Sequence, residues 1–195
     1  MFAFFAGLAA GLLHVFSGPD HLAAVAPLAA DGGRSHWRTG LQWGVGHTAG
    51  VLLIAVLLLL LREQLPLDLI SAYSERVVGV ALIVVGCWGI WKASRATMTS
   101  HSHAGASFAM GTVHGLAGSS HLFGVLPALA FSARADSILY LAGFGIGAIA
   151  GMSAFAAGMG LLAVRLGTNH RRFSGLLYAS SAAALVIGGF WLVGR

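Results

Sequence analysis

The chain has 195 residues, of which 57% are hydrophobic and only 9% are charged, and its mean hydropathy is +0.85. Because about a quarter of the residues in soluble domains are charged, this composition excludes an ordinary soluble domain and indicates an integral membrane protein. The net charge of +5 comes from basic residues that stand singly or in small groups between apolar segments. That pattern orients membrane helices and argues against a nucleic-acid partner.

Six apolar segments reach the roughly 17–25 residues that a membrane-spanning helix needs. They cover residues 4–29, 39–61, 75–92, 107–131, 137–165 and 173–193. We therefore predict an all-α integral membrane protein with six transmembrane helices. The first and fifth segments are longer than one crossing requires, which indicates tilt or a break, and the Gly and Pro residues inside them would supply the break.

The first segment carries polar residues that are costly in a membrane. It reads GLLHVFSGPDHLAAVAPLAA over residues 11–30 and contains His14, Asp20 and His21. Charged groups in hydrocarbon cost at least a few kcal/mol each, so they need partners or a function. Pro19 removes a backbone donor and disfavours helix at Gly18, so we expect a break there. Asp20 would then start a half-helix, whose positive dipole end favours a carboxylate.

The same phrase returns as GTVHGLAGSSHLFGVLPALA over residues 111–130. The positions that match at a constant offset are Gly11, His14, Gly18, His21, Leu22, Val25 and Pro27 with Gly111, His114, Gly118, His121, Leu122, Val125 and Pro127. We therefore predict one membrane domain with a first three-helix repeat over 1–92, a linker over 93–106 and a second three-helix repeat over 107–195. An odd number of crossings per repeat predicts inverted topology, as in secondary transporters with a binding site near the midplane.

The basic residues predict the orientation of the chain in its membrane. One side of the predicted topology holds Arg34, Arg38, Lys92, Arg95, Arg165, Arg171 and Arg172, and the other holds Arg62, Arg76, Arg134 and Arg195. Since cytoplasmic loops carry the excess of Lys and Arg, we predict that both termini lie outside the cytoplasm. The first helix lacks a basic n-region, so we expect it to persist in the mature protein. The expected location is a bacterial plasma membrane.

A set of histidines and one aspartate forms the predicted metal site: His14, Asp20, His21, His47, His114 and His121. Neutral imidazoles with one carboxylate suit nickel, cobalt or zinc better than magnesium or calcium, which prefer all-oxygen ligands. The second half has Ser119 and Ser120 where the first has Pro19 and Asp20, so we expect the first half to bind metal more strongly. The histidines of the second half complete a shared site or form a second one. The alternative is that these histidines only hydrogen-bond between helices, but their duplicated spacing favours a functional site.

Other polar or small residues near these histidines are predicted to line the substrate pathway: Gln42, Gly46, Thr48, Ser119 and Ser120. The linker carries His101 and His103, which form either a metal-capture loop or an ordinary solvated loop. No Gly-rich phosphate-binding phrase is present, so an ion gradient or an external partner must drive any uphill step.

Two phrases carry a resemblance to a known family. HVFSGPDHLAAVAPLAA followed by WGVGHTAGV resembles the nickel/cobalt transporter family, and in particular its short six-helix branch of nickel permeases and urease-accessory transport proteins. That family belongs to the lysine-exporter superfamily and has inverted three-helix repeats. The resemblance implies that His14, Asp20, His21 and His47 recognise the metal, with Gly46 and Thr48 beside His47. The chain differs in having five residues, where the family has four, between His14 and Asp20.

We therefore predict a secondary transporter of nickel or cobalt, with zinc and manganese as further candidates, that works by alternating access. We expect that the protein is not an enzyme and holds no permanent cofactor. Its expected partners are the metal ion and the lipid bilayer, and a homodimer is left open. The alternatives are an exporter of a small organic solute or anion of the same superfamily, a membrane haem protein with paired histidine ligands, and an intramembrane metal-dependent hydrolase. The last two are disfavoured because no intramembrane Arg meets haem propionates and no intramembrane Glu serves as a base.

Overall fold

The computed structural model describes residues 1–31, 36–61, 67–95, 104–116, 119–167 and 170–193, and for residues 57–61, 67–75, 104, 119–123, 129 and 170 it describes the backbone alone. The regular structure in these ranges is entirely helical. The eight helices are α1 (Phe2–Ser17), α2 (Pro19–Asp31), α3 (His36–Leu61), α4 (Leu67–Arg95), α5 (Ala104–Leu116), α6 (Ser119–Ala130), α7 (Arg134–Leu166) and α8 (His170–Val193). The predicted all-helical membrane class agrees with this content.

The first predicted segment is divided at the expected position. Helix α1 ends before Gly18, whose backbone is extended (φ −90°, ψ 97°) and whose N–H bonds the carbonyl oxygen of His14 at 3.1 Å. Pro19 then starts α2, a position where its missing N–H costs nothing and its fixed φ suits a helix. The axes of α1 and α2 differ by 73°. The prediction of a break at Gly18 is confirmed.

The fifth predicted segment is not divided. Its glycines lie within α7, which runs without interruption from Arg134 to Leu166. Of the two expectations for this segment, the break is wrong, whereas the tilt stays a prediction. The glycines serve a different purpose here, because several of them are buried where a neighbouring helix passes close by.

Three helical stretches within the described ranges are long and apolar enough to cross a membrane: Arg76–Arg95, Arg134–Leu166 and Arg171–Val193. The bent pair α1 and α2 passes the same test when it is taken as one span, which makes four. The chain therefore carries several membrane-spanning helices by length and composition. The predicted number of six crossings goes beyond this finding.

Glycines bring the helices of the two halves into backbone contact. Helix α1 packs mainly against α7, and α5 packs mainly against α3. A Cβ atom at Gly11 would collide with the carbonyl oxygen of Phe144, and a Cβ atom at Gly111 would collide with that of Trp43. Small residues allow such close approach between membrane helices, and the resulting van der Waals contact holds the helices together.

These close contacts are reciprocal between the halves. Gly11 and Gly111 match in the two repeated phrases, and each packs against a helix of the other half: Gly11 against Phe144 of α7 and Gly111 against Trp43 of α3. Helices α4 and α8 also pack against each other. The two halves of the chain are therefore packed together into a single body.

Helix α2 lies at the centre of this body. Nearly all of its side chains from Asp20 to Asp31 are buried, and it contacts α3, α4, α7 and α8. At its last residue Asp31 accepts a charged hydrogen bond from Lys92 of α4, and both side chains are buried. Lys92 is one of the basic residues from which the orientation was predicted, and that orientation stays a prediction. In the structure Lys92 belongs to an internal ion pair, which anchors the end of α2.

We predict opposite effects for two substitutions in α7. Gly143→Ala places a Cβ atom against the backbone of Phe4 and is expected to cost about 1–3 kcal/mol, as overpacking does. Gly158→Ala meets no atom within 4 Å and is expected to be neutral or to gain up to about 1 kcal/mol from helix propensity. Thermal unfolding of the detergent-purified variants measures the difference. Equal midpoints would contradict the close α1–α7 contact.

Candidate metal centre

Four histidines and one aspartate meet in the interior. His14 comes from α1, Asp20 and His21 from α2, His47 from α3 and His114 from α5. His21, His47 and His114 are 1%, 0% and 0% exposed and Asp20 is 6% exposed, whereas His14 is partly buried. The site therefore draws on both halves of the chain and lies largely out of contact with solvent.

The break at Gly18 brings the first members of the cluster together. His14 lies in the last turn of α1, and Asp20 and His21 lie in the first turn of α2. The bend between the helices leaves the rings of His14 and His21 in edge contact, with centroids 4.6 Å apart. A Cβ atom at Gly18 would collide with the His21 ring and would lie 3.0 Å from Oδ1 of Asp20. Glycine is therefore required at this position for the geometry of the site.

The carboxylate of Asp20 lies between two histidines. Its Oδ1 is 2.9 Å from Nδ1 of His21, and its Oδ2 is 3.1 Å from Nε2 of His114. An ionised carboxylate only accepts hydrogen bonds, so the two ring nitrogens that face it donate. Each neutral ring then carries its lone pair on the opposite nitrogen. Carboxylates orient metal-binding histidines in this way in many metalloproteins.

Two groups of three side chains can hold a metal ion, as judged by ligand atoms that lie within 4.8 Å of one another. The first group is His14, His21 and His47, and the second is Asp20, His21 and His114. Ligand atoms about 2.1 Å from a tetrahedral metal are roughly 3.4 Å apart, so the distances between ligand atoms in either group would shorten by at most about 1.4 Å around an ion. The donor set of imidazoles with one carboxylate suits nickel, cobalt and zinc.

Trp43 forms part of the wall of the cluster and was absent from the sequence-based prediction. Its ring is fully buried and stacks on His47 with a centroid distance of 5.0 Å and an interplanar angle of 14°. It also lies 5.5 Å from His21 and 5.3 Å from His114. Trp43 precedes His47 by one helical turn, so the i, i+4 spacing was the signal that places both on one face.

The other predicted site residues lie in different places. Gly46 packs against the backbone of α5, and Thr48 donates a hydrogen bond to the carbonyl oxygen of Gly145 at 3.4 Å, so both take part in helix contacts. Gln42 is partly buried in α3. Their role in a substrate pathway stays a prediction.

The second-half residues Ser119, Ser120 and His121 fall in the first turn of α6, where only the backbone is described. This places them at the position that Pro19, Asp20 and His21 hold in α2. His101 and His103 lie outside the described residues, so the metal-capture loop also stays a prediction.

The chain is similar to two chloroplast proteins of Arabidopsis thaliana. Chloroplast protein FOR GROWTH AND FERTILITY 2 is 47% identical over 91 residues, which is 45% of this chain and 24% of the relative. Chloroplast protein FOR GROWTH AND FERTILITY 1 is 44% identical over 91 residues, with the same coverage. The chain thus spans about a quarter of the length of these relatives.

A more distant similarity connects the chain to a bacterial protein. Urease accessory protein UreH of Bacillus sp. (strain TB-90) is 28% identical over 99 residues, which is 49% of this chain and 42% of the relative. The chain matches no protein family profile and no solved structure.

We expect Asp20→Asn to weaken metal binding by at least on the order of 10–100-fold, because Asp20 orients two ligand histidines and also belongs to one of the ligand groups. The amide keeps the size of the side chain but replaces one accepting oxygen with a donor that faces a ring N–H. Isothermal titration of the purified protein with nickel or cobalt measures the change. Asp136→Asn at the start of α7 is the matched control, and an equal loss in both variants would contradict the assignment.

We expect Gly18→Ala to weaken metal binding because its Cβ atom displaces the buried ring of His21. The backbone angles at Gly18 are open to alanine, so the added Cβ atom acts on the His21 ring and the Asp20 carboxylate and not on the chain conformation. The same titration measures the affinity, and Gly158→Ala serves as the control. Unchanged affinity in Gly18→Ala would show that the bend does not position the ligands.

Proposed function

We propose that this chain is a secondary transporter that carries a divalent transition metal ion, nickel or cobalt first, across a membrane. The observation that supports this most strongly is the buried cluster of three histidines with Asp20 and the partly buried His14, drawn from four helices of a highly apolar chain. Titratable groups in such a place are expensive, and they commonly mark the path of an ion. Zinc and manganese are the further candidates for the cargo.

The arrangement of the halves supports alternating access. The reciprocal glycine contacts between α1 and α7 and between α5 and α3 are what two equivalent repeats would make. We propose six crossings arranged as two inverted repeats, with the cluster near the midplane and one repeat rocking against the other. The transporter would need no permanent cofactor and would not be an enzyme.

The similarity to other proteins supports the class of cargo. The distant, partial similarity to a urease accessory protein agrees with the branch of the nickel/cobalt transporter family that the two sequence phrases resemble. The chloroplast relatives make a chloroplast membrane an alternative to the bacterial plasma membrane. The predicted orientation, with termini outside the cytoplasm, is part of the proposal.

An exporter of a small organic anion is the alternative within the same superfamily, and it would need an internal cation to bind its substrate. Lys92 is a buried cation, but its ammonium group is paired with the buried carboxylate of Asp31. A neutralised pair gives little attraction for an anion, so the observation favours the metal ion.

Transport by proteoliposomes tests the proposal. We expect nickel or cobalt uptake into vesicles that contain the wild-type chain, and a fall to the level of protein-free vesicles with His21→Ala, because His21 belongs to both groups of ligands. His36→Gln is the control, since His36 starts α3 outside the cluster and should keep the wild-type rate. Uptake equal to that of protein-free vesicles for every metal offered would contradict metal transport and favour the alternative, an exporter of a small organic solute.

A further inference from the structure

The two groups of metal ligands overlap at a single residue. His21 is the member that they share, and its ring lies 4.6 Å from that of His14, 4.9 Å from that of His47 and 5.0 Å from that of His114. His21 is therefore about equally close to the ligands on either side. His14 and His47 come from the first half of the chain, whereas His114 comes from the second half.

The chemistry of imidazole keeps the two groups from being filled together. A neutral imidazole has one lone pair, so His21 binds one ion at a time. When Nδ1 of His21 donates to Asp20, the lone pair stands on Nε2, and His21 can act with His14 and His47. When the ion binds between Asp20, His21 and His114, the ring nitrogens that face the carboxylate must hold the lone pairs.

The two groups also differ in burial and charge. The first contains three neutral rings and includes His14, the member that is only partly buried. The second is buried at all three positions and contains the carboxylate of Asp20. The carboxylate contacts a divalent ion directly in the second group and lowers the net charge of that ligand set to +1, whereas in the first group the His21 ring lies between the ion and the carboxylate. Because uncompensated charge is costly in the membrane interior, the second group should hold the ion more strongly.

We propose, on the basis of the transport function proposed above, that the cluster is two overlapping subsites that one ion occupies in turn. The ion first binds His14, His21 and His47, which we call the outer subsite. It then passes to Asp20, His21 and His114, which we call the inner subsite. The bonds to His14 and His47 break, and bonds to Asp20 and His114 form. His21 and His114 each keep one ring proton. In the inner subsite that proton lies on the nitrogen that faces away from the ion, so the total number of protons does not change.

This handover also assigns a task to each half of the chain. The outer subsite belongs entirely to α1, α2 and α3, whereas the inner subsite joins α2 to α5. The ion therefore moves from ligands of one repeat to ligands that span both repeats. Relative motion of the repeats would change the inner subsite and leave the outer one intact.

Cobalt provides the probe, because X-ray absorption counts its imidazole ligands. The full-length protein in detergent is given one equivalent of Co²⁺, and titration gives the number of ions bound. We expect one ion per chain in the wild type, with two imidazoles and a carboxylate as protein ligands. In His114→Gln we expect three imidazoles, since the ion falls back to the outer subsite. Removal of a histidine thus raises the number of bound imidazoles.

The matched variant is His47→Gln, which alters only the outer subsite. It should keep one ion with two imidazoles, as in the wild type. Both variants should bind cobalt yet transport it at least about tenfold more slowly than the wild type. His21→Ala should neither bind nor transport cobalt. Glutamine keeps a polar side chain at each buried position, and thermal unfolding checks that the variants fold.

Several outcomes would overturn the handover. Two ions per chain, more than two imidazoles in the wild type, no increase in bound imidazoles in His114→Gln over the wild type, or wild-type transport by either variant would each do so. Loss of folding in a variant leaves the wild-type ion count and imidazole count as the deciding measurements. Failure of the transport proposal is separate, because the wild type itself would then carry no metal into proteoliposomes.

Discussion

The buried carboxylate of Asp20 is the constraint on which the interior of this protein depends. A charge removed from water is tolerated only when several donors surround it. Here the donors are His21 beside it and His114, which lies 94 positions further along the chain. The requirement to satisfy one carboxylate therefore ties the first half of the chain to the second. It also fixes which nitrogen of each histidine faces the centre of the cluster.

Close helix packing makes this arrangement accessible. Lipid tails are as apolar as the side chains that face them, so the hydrophobic effect does not drive helices together inside a membrane. Close van der Waals contact at glycines must therefore supply much of the attraction between helices. Gly11 and Gly111 place α1 on α7 and α5 on α3 at near-backbone distance. With bulkier residues the helices would separate, and His114 would move out of reach of Asp20.

Helix α2 carries a carboxylate at each end, and each carboxylate has a buried hydrogen-bond donor as partner. Asp20 in its first turn meets histidines, and Asp31 at its last residue meets Lys92 of α4. Separation of either pair would leave a charge without compensation in a buried place, which costs several kcal/mol. The half-helix is therefore held in position along its whole length, while the extended backbone at Gly18 lets it point away from α1 by 73°.

The amino-acid sequence alone determined the helical class, the positions of the six apolar segments, the break at Gly18 and the candidate residues of the cluster, but it left open whether His114 joins the histidines of the first half. These follow from local rules of hydropathy, proline geometry and repeated spacing. Only the tertiary structure decided that α7 stays unbroken, that His114 joins Asp20, that Lys92 pairs with Asp31, and that Trp43 stacks on His47. Each of these depends on which helix lies alongside, and composition and spacing do not encode a partner that is distant along the chain.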